Sequence, residues 1–401
     1  MVEIIGLAGL RPARGKISSV TTPPYDVIKP GTPLESLLKA NEDSLYHVIL
    51  GGDPCSALNR LISQGALQRD DEPCFYIYEQ RFGNEFGDNE FGDNIRTGVL
   101  VAARVSDYSK GEIIRHERVF DDKVQGRLEL TAKTGCSLEP IFLLTRAPIS
   151  AVLDETKGMY QPEYQFTSDF GNTYELHGIR NRVFRVKADS EGGLRLRKLI
   201  GATPLYIADG HHRYHAALLN NQTHFLAYIV DNAKIQAYNR VINGLVKFED
   251  IKENLNLQEA PEFGTPNKHQ FCLYSGSKSY LLDANYVPDD VVGCLDCSIL
   301  ERELYPLLGL THDMIADSRH FDYYAESELD KMKQCVDSGA FDVAVALHPV
   351  SIEELMAVAN AGLNNPGIVM PEKSTFFAPK ILSGIFIYRH SKSPVLRLVD
   401  N

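Results

Sequence analysis

The sequence predicts an α+β protein built on a mixed sheet and divided into two lobes. Three observations lead there. Short strand-like runs, some alternating apolar and polar residues and some wholly apolar, are interleaved with helix-like stretches. A chain of 401 residues is longer than one core comfortably organises, so more than one domain is expected. The composition, 44% apolar and 23% charged, is that of an ordinary globular protein.

The opening IIGLAGLRPARGKISSVTTPPYDVI reads as a short apolar strand, a basic turn, a second short strand and a double proline. LESLLKANEDSLYHV has helical spacing, and GGDP is a linker. CFYIYEQRF (74–82) and IRTGVLVAARVSDY (95–108) alternate as paired strands do. Between them, NEFGDNEFGDN is a tandem duplication whose carboxylates are interrupted by phenylalanines; it reads as an acidic hairpin tip, not a calcium loop. IIRHERVFDDKVQGRLELTAKTG begins as a strand and becomes a basic helix, and EPIFLLT is a buried strand. After a less regular segment near 150–185, RVFRVK and LYIADG are strands, HRYHAALLNN a helix and FLAYIVDN a buried strand. The remaining chain alternates strands FCLYSG, SYLLDA, AVALHPV and GIFIYR with helices near 297–308, 326–338 and 351–361.

Charge and hydropathy exclude several classes of function. Lys and Arg number 41 against 53 Asp and Glu, a net charge of -12, and such a field repels the phosphates of nucleic acids and anionic membranes. No apolar run approaches the roughly 20 residues that span a bilayer. MVEIIGLAGLRPARGK lacks the pattern of a cleaved secretory signal. The seven cysteines are scattered from Cys55 to Cys335, as expected of reduced thiols in a cytoplasmic protein. Cys294 and Cys297 have C-x-x-C spacing but no second pair, and they read as core thiols.

The most informative stretch is YIADGHHRYHAA (206–217), where a strand becomes a helix. Gly210 permits a sharp turn and a close ligand. The helix start offers unpaired N–H groups and a positive dipole end, where phosphates bind. Arg213 can fork two hydrogen bonds onto phosphate, and the imidazoles of His211 and His212 add donors that strengthen on protonation. Asp209 can hold magnesium or orient a histidine. Bland readings stand beside these: Asp209 as a helix cap, or a helix with no active role. His211 and His215, four apart, are also a conceivable zinc pair. Two other basic spots could serve a phosphate or an acidic substrate: Arg11, Arg14 and Lys16, and Lys373, Ser374, Thr375 and Lys380.

ADGHHRY resembles the signature of a domain-of-unknown-function family, number 1015, placed beside ParB and sulfiredoxin. TPPYDVI (22–28) is similar to that family's PPYDV motif, RHERVF (115–120) to its His-Glu motif with Val119 where threonine is common, and MPEKSTFFAPK (370–380) to its late motif. The resemblance implies a ParB/sulfiredoxin-like core from about 1–50 and 185–245, a β-rich insertion over 75–185, and a second α/β lobe over 246–401. It assigns Gly210, His211, His212 and Arg213 to nucleotide phosphates and Asp209 to magnesium or to a catalytic histidine. Distant similarity to free serine kinases implies an early carboxylate base, for which Asp26 and Glu117 are the candidates. PPYDV reads equally as a rigid turn, and RHER, with His116 and Glu117, as a salt-bridged strand end. His211 stands where sulfiredoxin has its cysteine, which excludes sulfinic-acid reduction. The function expected is transfer of a phosphoryl group from ADP or ATP, with CTP the other candidate, to a small hydroxyl compound such as free serine, with Mg2+. A non-catalytic nucleotide switch of ParB type is the second reading, and a zinc hydrolase using His211, His215 and a carboxylate the third.

Overall fold

The computed structural model describes residues 2–83, 94–119, 121–170 and 178–390; the acidic tandem repeat lies almost wholly outside them. The fold is a mixed α+β architecture with one large mixed sheet, a second sheet and several two-stranded ribbons. The large sheet has nine strands. In spatial order they are Ile113–Ile114, Leu205–Asp209, Ile141–Thr145, His224–Val230, Asn94–Arg104, Cys74–Phe82, Arg180–Lys187 and Tyr164–Thr167, and Ile4–Ile5 pairs with Asn94–Arg104 at Ala102 and Ala103. Leu205–Asp209 runs parallel to Ile113–Ile114, as His224–Val230 does to Ile141–Thr145; the other pairings are antiparallel.

Both faces of this sheet are covered, which explains why its central strands read as nearly continuous apolar runs. Phe75, Ile77, Val99, Leu143, Ile207 and Ile229 point to one face, where the helices Ser150–Gly158, Glu191–Gly201 and His211–Leu219 pack through Leu153, Leu196 and Tyr214. Tyr76, Tyr78, Leu100, Leu144, Tyr206 and Tyr228 point to the other, into a core shared with the second sheet. That sheet is antiparallel, in the order Leu257–Ala260, Lys278–Asp283, Gln270–Ser275, Val343–Leu347, Asn239–Ile242 and Phe321–Tyr324. Its far face is closed by Met332 and Val336 of the helix Leu329–Asp337. No helix among the described residues is long and apolar enough to cross a membrane.

Three local expectations are corrected. ISSV forms a helical turn, Ile17–Val20, because its two apolar ends lie three residues apart and both are buried. LESLLKANEDSLYHV is split into Pro33–Ala40 and Tyr46–Ile49, since Asn41 is extended and its side chain accepts from the Asp43 N–H at 3.1 Å. GIFIYR is a strand only at Tyr388–Arg389. It is the end of a long strap, residues 370–390, that touches segments far apart in the chain. Met370 donates its N–H to the His116 carbonyl (2.8 Å), Phe376–Phe377 pairs with Ile235–Gln236, Ser383 bridges to Thr22 and Ile387 to Leu10, and Tyr388–Arg389 pairs with Cys136–Ser137.

The strap is fixed from beneath by Arg96, 4% exposed. Its guanidinium donates to the carbonyls of Ala378 (3.5 Å) and Pro379 and to Gln80 Oε1. It also lies 5.0 Å from the ring centroid of Phe142. Gln80 in turn donates to the Lys380 carbonyl at 3.1 Å. Charge-assisted bonds from a desolvated cation are worth about 1.5–3 kcal/mol each, and removing the donor leaves buried acceptors unpaired. Arg96→Met is therefore expected to lower the unfolding free energy by about 3 kcal/mol or more in denaturant titrations. Arg104→Ala, on the same strand, breaks only an exposed pair with Glu3 (2.8 Å) and should cost below about 1 kcal/mol. Equal losses would show that Arg96 does not anchor the strap.

Candidate functional site

Asp209 would point the wrong way in a regular strand. Leu205 and Ile207 face the helix-covered side and Tyr206 and Ala208 the shared core, so strict alternation would send Asp209 among the apolar groups of the former. The register against Ile141–Thr145 shifts between Ile207 and Asp209. This bulge turns the carboxylate to the side of Ala208, where both line a cleft of about 270 Å³. Gly210 follows with φ +99°. A Cβ there would meet the Arg213 guanidinium at 3.0 Å. The helix His211–Leu219 then starts at the cleft.

The cleft gathers residues from distant parts of the chain. Asp26, Glu117, Asp209, Gly210, His211, His212, Arg213, Lys373, Thr375 and Lys380, all singled out in the sequence, line it. Arg118, Lys123, Tyr25, Tyr238 and Glu372 line it too and were not singled out. Lys123 sits in the first turn of the basic helix after RHER, and that position was the available signal. Ser374 is buried elsewhere: its hydroxyl donates to the Pro371 carbonyl (2.6 Å) and accepts from Cys297 Sγ (3.2 Å). Arg11 is committed to a buried network with Asp70 (2.7 Å) and Tyr164. Lys16 pairs with Asp43.

The PPYDV turn is held so that Asp26 opens into the cleft. The Tyr25 N–H donates to Glu139 at 3.1 Å, Ser383 donates to the same oxygen at 3.0 Å, and the Arg127 guanidinium stacks 3.9 Å from the Tyr25 ring centroid. Lys373 has φ +58°, a strained conformation for a residue with a side chain. Its Nζ lies 5.2 Å from the Tyr238 ring centroid and 5.7 Å from that of Tyr323.

Charges in the cleft push one another apart. Enclosure disfavours the Asp209 anion, but Lys380 (3.3 Å) and Arg213 (3.7 Å) outweigh it and hold the carboxyl well below the usual range. Crowding by surrounding protein and then the Asp209 charge push Asp26 up, although its side chain stays exposed to solvent. Enclosure and then Asp209 raise Glu117 to about 7. The histidines behave differently from the expectation that protonation would strengthen them. Burial lowers His116 and His212 to about 4, and burial followed by His116 pushes His211 well down, so at neutral pH all three are uncharged. The cationic donors of the cleft are its Arg and Lys residues.

His215, expected to share a face with His211, instead stacks on Tyr108 (centroids 6.1 Å, interplanar angle 9°) and does not line the cleft. The zinc pair read from helical spacing is not formed. His116 takes that place beside His211, their rings perpendicular with centroids 4.5 Å apart. Parallel pairing of Ile113–Ile114 with Leu205–Tyr206 brings the two strand exits side by side.

The model of a family described as "Protein of unknown function (DUF1015)" matches residues 4–298. Among solved structures, "Free serine kinase in complex with AMP" is 14% identical over 72% of this chain and 92% of that chain, with a TM-score of 0.37. "SbnI with C-terminal truncation from Staphylococcus aureus" is 13% identical over 71% and 85%, with a TM-score of 0.38. A conserved hypothetical protein from Pyrococcus furiosus is 13% identical over 72% and 95%, with a TM-score of 0.35. No curated protein matches the chain.

The turn at Gly210 makes a direct prediction. Gly210→Ala combines a left-handed φ with a clash against Arg213, whose Nη1 donates to the Pro140 carbonyl. Chemical unfolding should show a loss of about 1–2 kcal/mol from the backbone alone. A variant as stable as the parent would mean that the turn relaxes freely.

Proposed function

The chain belongs to the DUF1015 family of proteins of unknown function, and within it we propose a nucleotide-dependent enzyme that transfers a phosphoryl group to a small hydroxyl compound. One observation carries the reading. In a chain of net charge -12, Arg118, Lys123, Arg213, Lys373 and Lys380 converge on one cleft around a glycine turn and a helix start. That is a device for anionic oxygens. An adjoining cleft of about 540 Å³ shares Arg118, Met370 and Glu372 with it, giving room for the rest of a nucleotide.

In this reading Gly210, Arg213 and Lys380 receive the phosphates of ADP or ATP, with His211 and His212 as neutral partners. Asp209 and the facing Asp26 are an opposed carboxylate pair whose mutual repulsion a magnesium ion would relieve, and Asp209 would hold it. The ion's contribution is charge neutralisation on the phosphates. Asp26, open to the cleft, accepts the proton of the attacking hydroxyl. The acceptor oxygen bonds to the terminal phosphorus, and the bridging P–O bond breaks with its electrons leaving on AMP or ADP. Acidic Glu117 and Glu372 and basic Lys373 and Arg118 around the same space suit an acceptor with ionic groups of both signs. Free serine is the simplest such alcohol. Kinship with ParB and sulfiredoxin belongs to the same proposal.

Calorimetry should show binding of ADP, ATP or CTP, with adenosine and cytidine much weaker. Arg213→Ala and Lys380→Met each remove a charge-assisted contact and should weaken nucleotide binding by about 1.5–3 kcal/mol. Unchanged affinity in both sinks the phosphate reading.

A second measurement addresses the chemistry. Protein, magnesium, ADP or ATP and a panel of amino and hydroxy acids are incubated and followed by phosphorus NMR. Asp209→Asn should slow product formation by about two orders of magnitude while the fold survives. Tight nucleotide binding with no product from any acceptor would replace the kinase by a nucleotide-responsive switch.

A further inference from the structure

We propose that His116, Glu117 and His211 form a binding site for a divalent first-row transition metal, zinc above all. The inference does not rest on the phosphate reading, although it uses two residues of the same cleft: Glu117 and His211 would serve the metal, and His211 would then no longer be a phosphate partner. Glu117 bridges the two imidazoles: its Oε2 lies 3.4 Å from His211 Nδ1 and its Oε1 3.8 Å from His116 Nε2. One ligand atom from each residue falls within 4.8 Å of the others. Atoms bound at about 2.0–2.2 Å to one tetrahedral zinc ion are themselves about 3.3–3.6 Å apart, so a small closing movement completes the set.

Burial gives an independent sign. His116 is 0% exposed; neither ring nitrogen makes a hydrogen bond of good geometry among the described residues, and the Ile207 main chain offers it only a weak polar contact. A sealed imidazole so poorly satisfied is costly. Bound metal would satisfy it. His211 is 2% exposed and its Nε2 accepts only a long contact, 3.4 Å, from the His116 N–H. Loading moves the His211 ring proton to Nε2, and this weak contact is what the site gives up.

Two imidazoles and one carboxylate suit zinc, cobalt, iron(II) or manganese, whereas magnesium and calcium prefer oxygen throughout. Glu117 and His211 line the cleft while His116 lies behind them. The side left open therefore faces the cleft, where water or a substrate oxygen would complete the coordination.

The test uses the full chain, stripped with chelator and free of nucleotide. Co2+ is titrated with visible absorption as readout, and Zn2+ by calorimetry. A single equivalent with tetrahedral Co2+ bands is expected, weakened in His116→Gln and in Glu117→Gln by at least the about 10–100-fold that the loss of a mere supporting group causes. His215→Gln, one turn along the helix and outside the cleft lining, should bind as the parent does. Glu117→Gln, whose side chain is 30% exposed, keeps the test open if His116→Gln fails to fold. Absence of stoichiometric uptake, equal uptake by parent and Glu117→Gln, or equal displacement of Co2+ by Mg2+ at the same concentration would overturn the proposal.

Discussion

A single buried guanidinium, Arg96, holds the architecture around the cleft together. It rises from a central strand of the large sheet and takes hold of main-chain oxygens in a strap more than 280 residues later in the sequence. Burying a cation is unfavourable in itself, and the bonds from its two Nη groups offset part of the lost hydration, although its Nε finds no acceptor among the described residues. Ala378, Pro379 and Gln80 supply the acceptors. With the strap fixed, Lys380 and Lys373 reach the cleft that Asp209, Gly210 and Arg213 open from the opposite wall.

The cleft is thus assembled from charges that neither wall would tolerate alone. Asp26, Glu117 and Asp209 crowd one another, and Lys380 and Arg213 settle the contest in favour of an ionised Asp209. Buried His116 and His211 and half-buried His212 are all held below the usual imidazole range and contribute shape and lone pairs in place of charge. A net charge of -12 says nothing of this local excess of Arg and Lys. Global charge governs long-range encounter, whereas recognition is decided over a few ångströms.

Much of this was legible in the chain. Alternating and fully apolar runs identified the strands at 74–82, 95–104 and 205–209, because period and burial are local properties. ADGHHRY announced its own strand-to-helix turn, and PPYDV and the 370–380 motif do meet it in space. What stayed hidden depends on pairing between remote segments. Helical spacing pointed from His211 to His215, yet strand pairing delivers His116. Ser374 sits in the same motif as Thr375 but is claimed by Cys297 of the helix Asp296–Glu303. GIFIYR has a strand's composition, but only Tyr388–Arg389 forms a strand, with Ile387 making a single bridge to Leu10. The bulge before Asp209 leaves no mark in the residue types at all.

Because the strap lies so far along the chain from the residues it completes, synthesis and assembly are out of step. Residues 26, 117 and 209 emerge from the ribosome long before residue 380. Until then the large sheet presents clustered carboxylates without Lys380 and leaves Gln80 and Arg96 without their main-chain partners. The cleft consequently lacks its native charge balance until residue 380 is in place. A nascent or truncated chain with its strands already paired would still be unable to behave as the finished protein does.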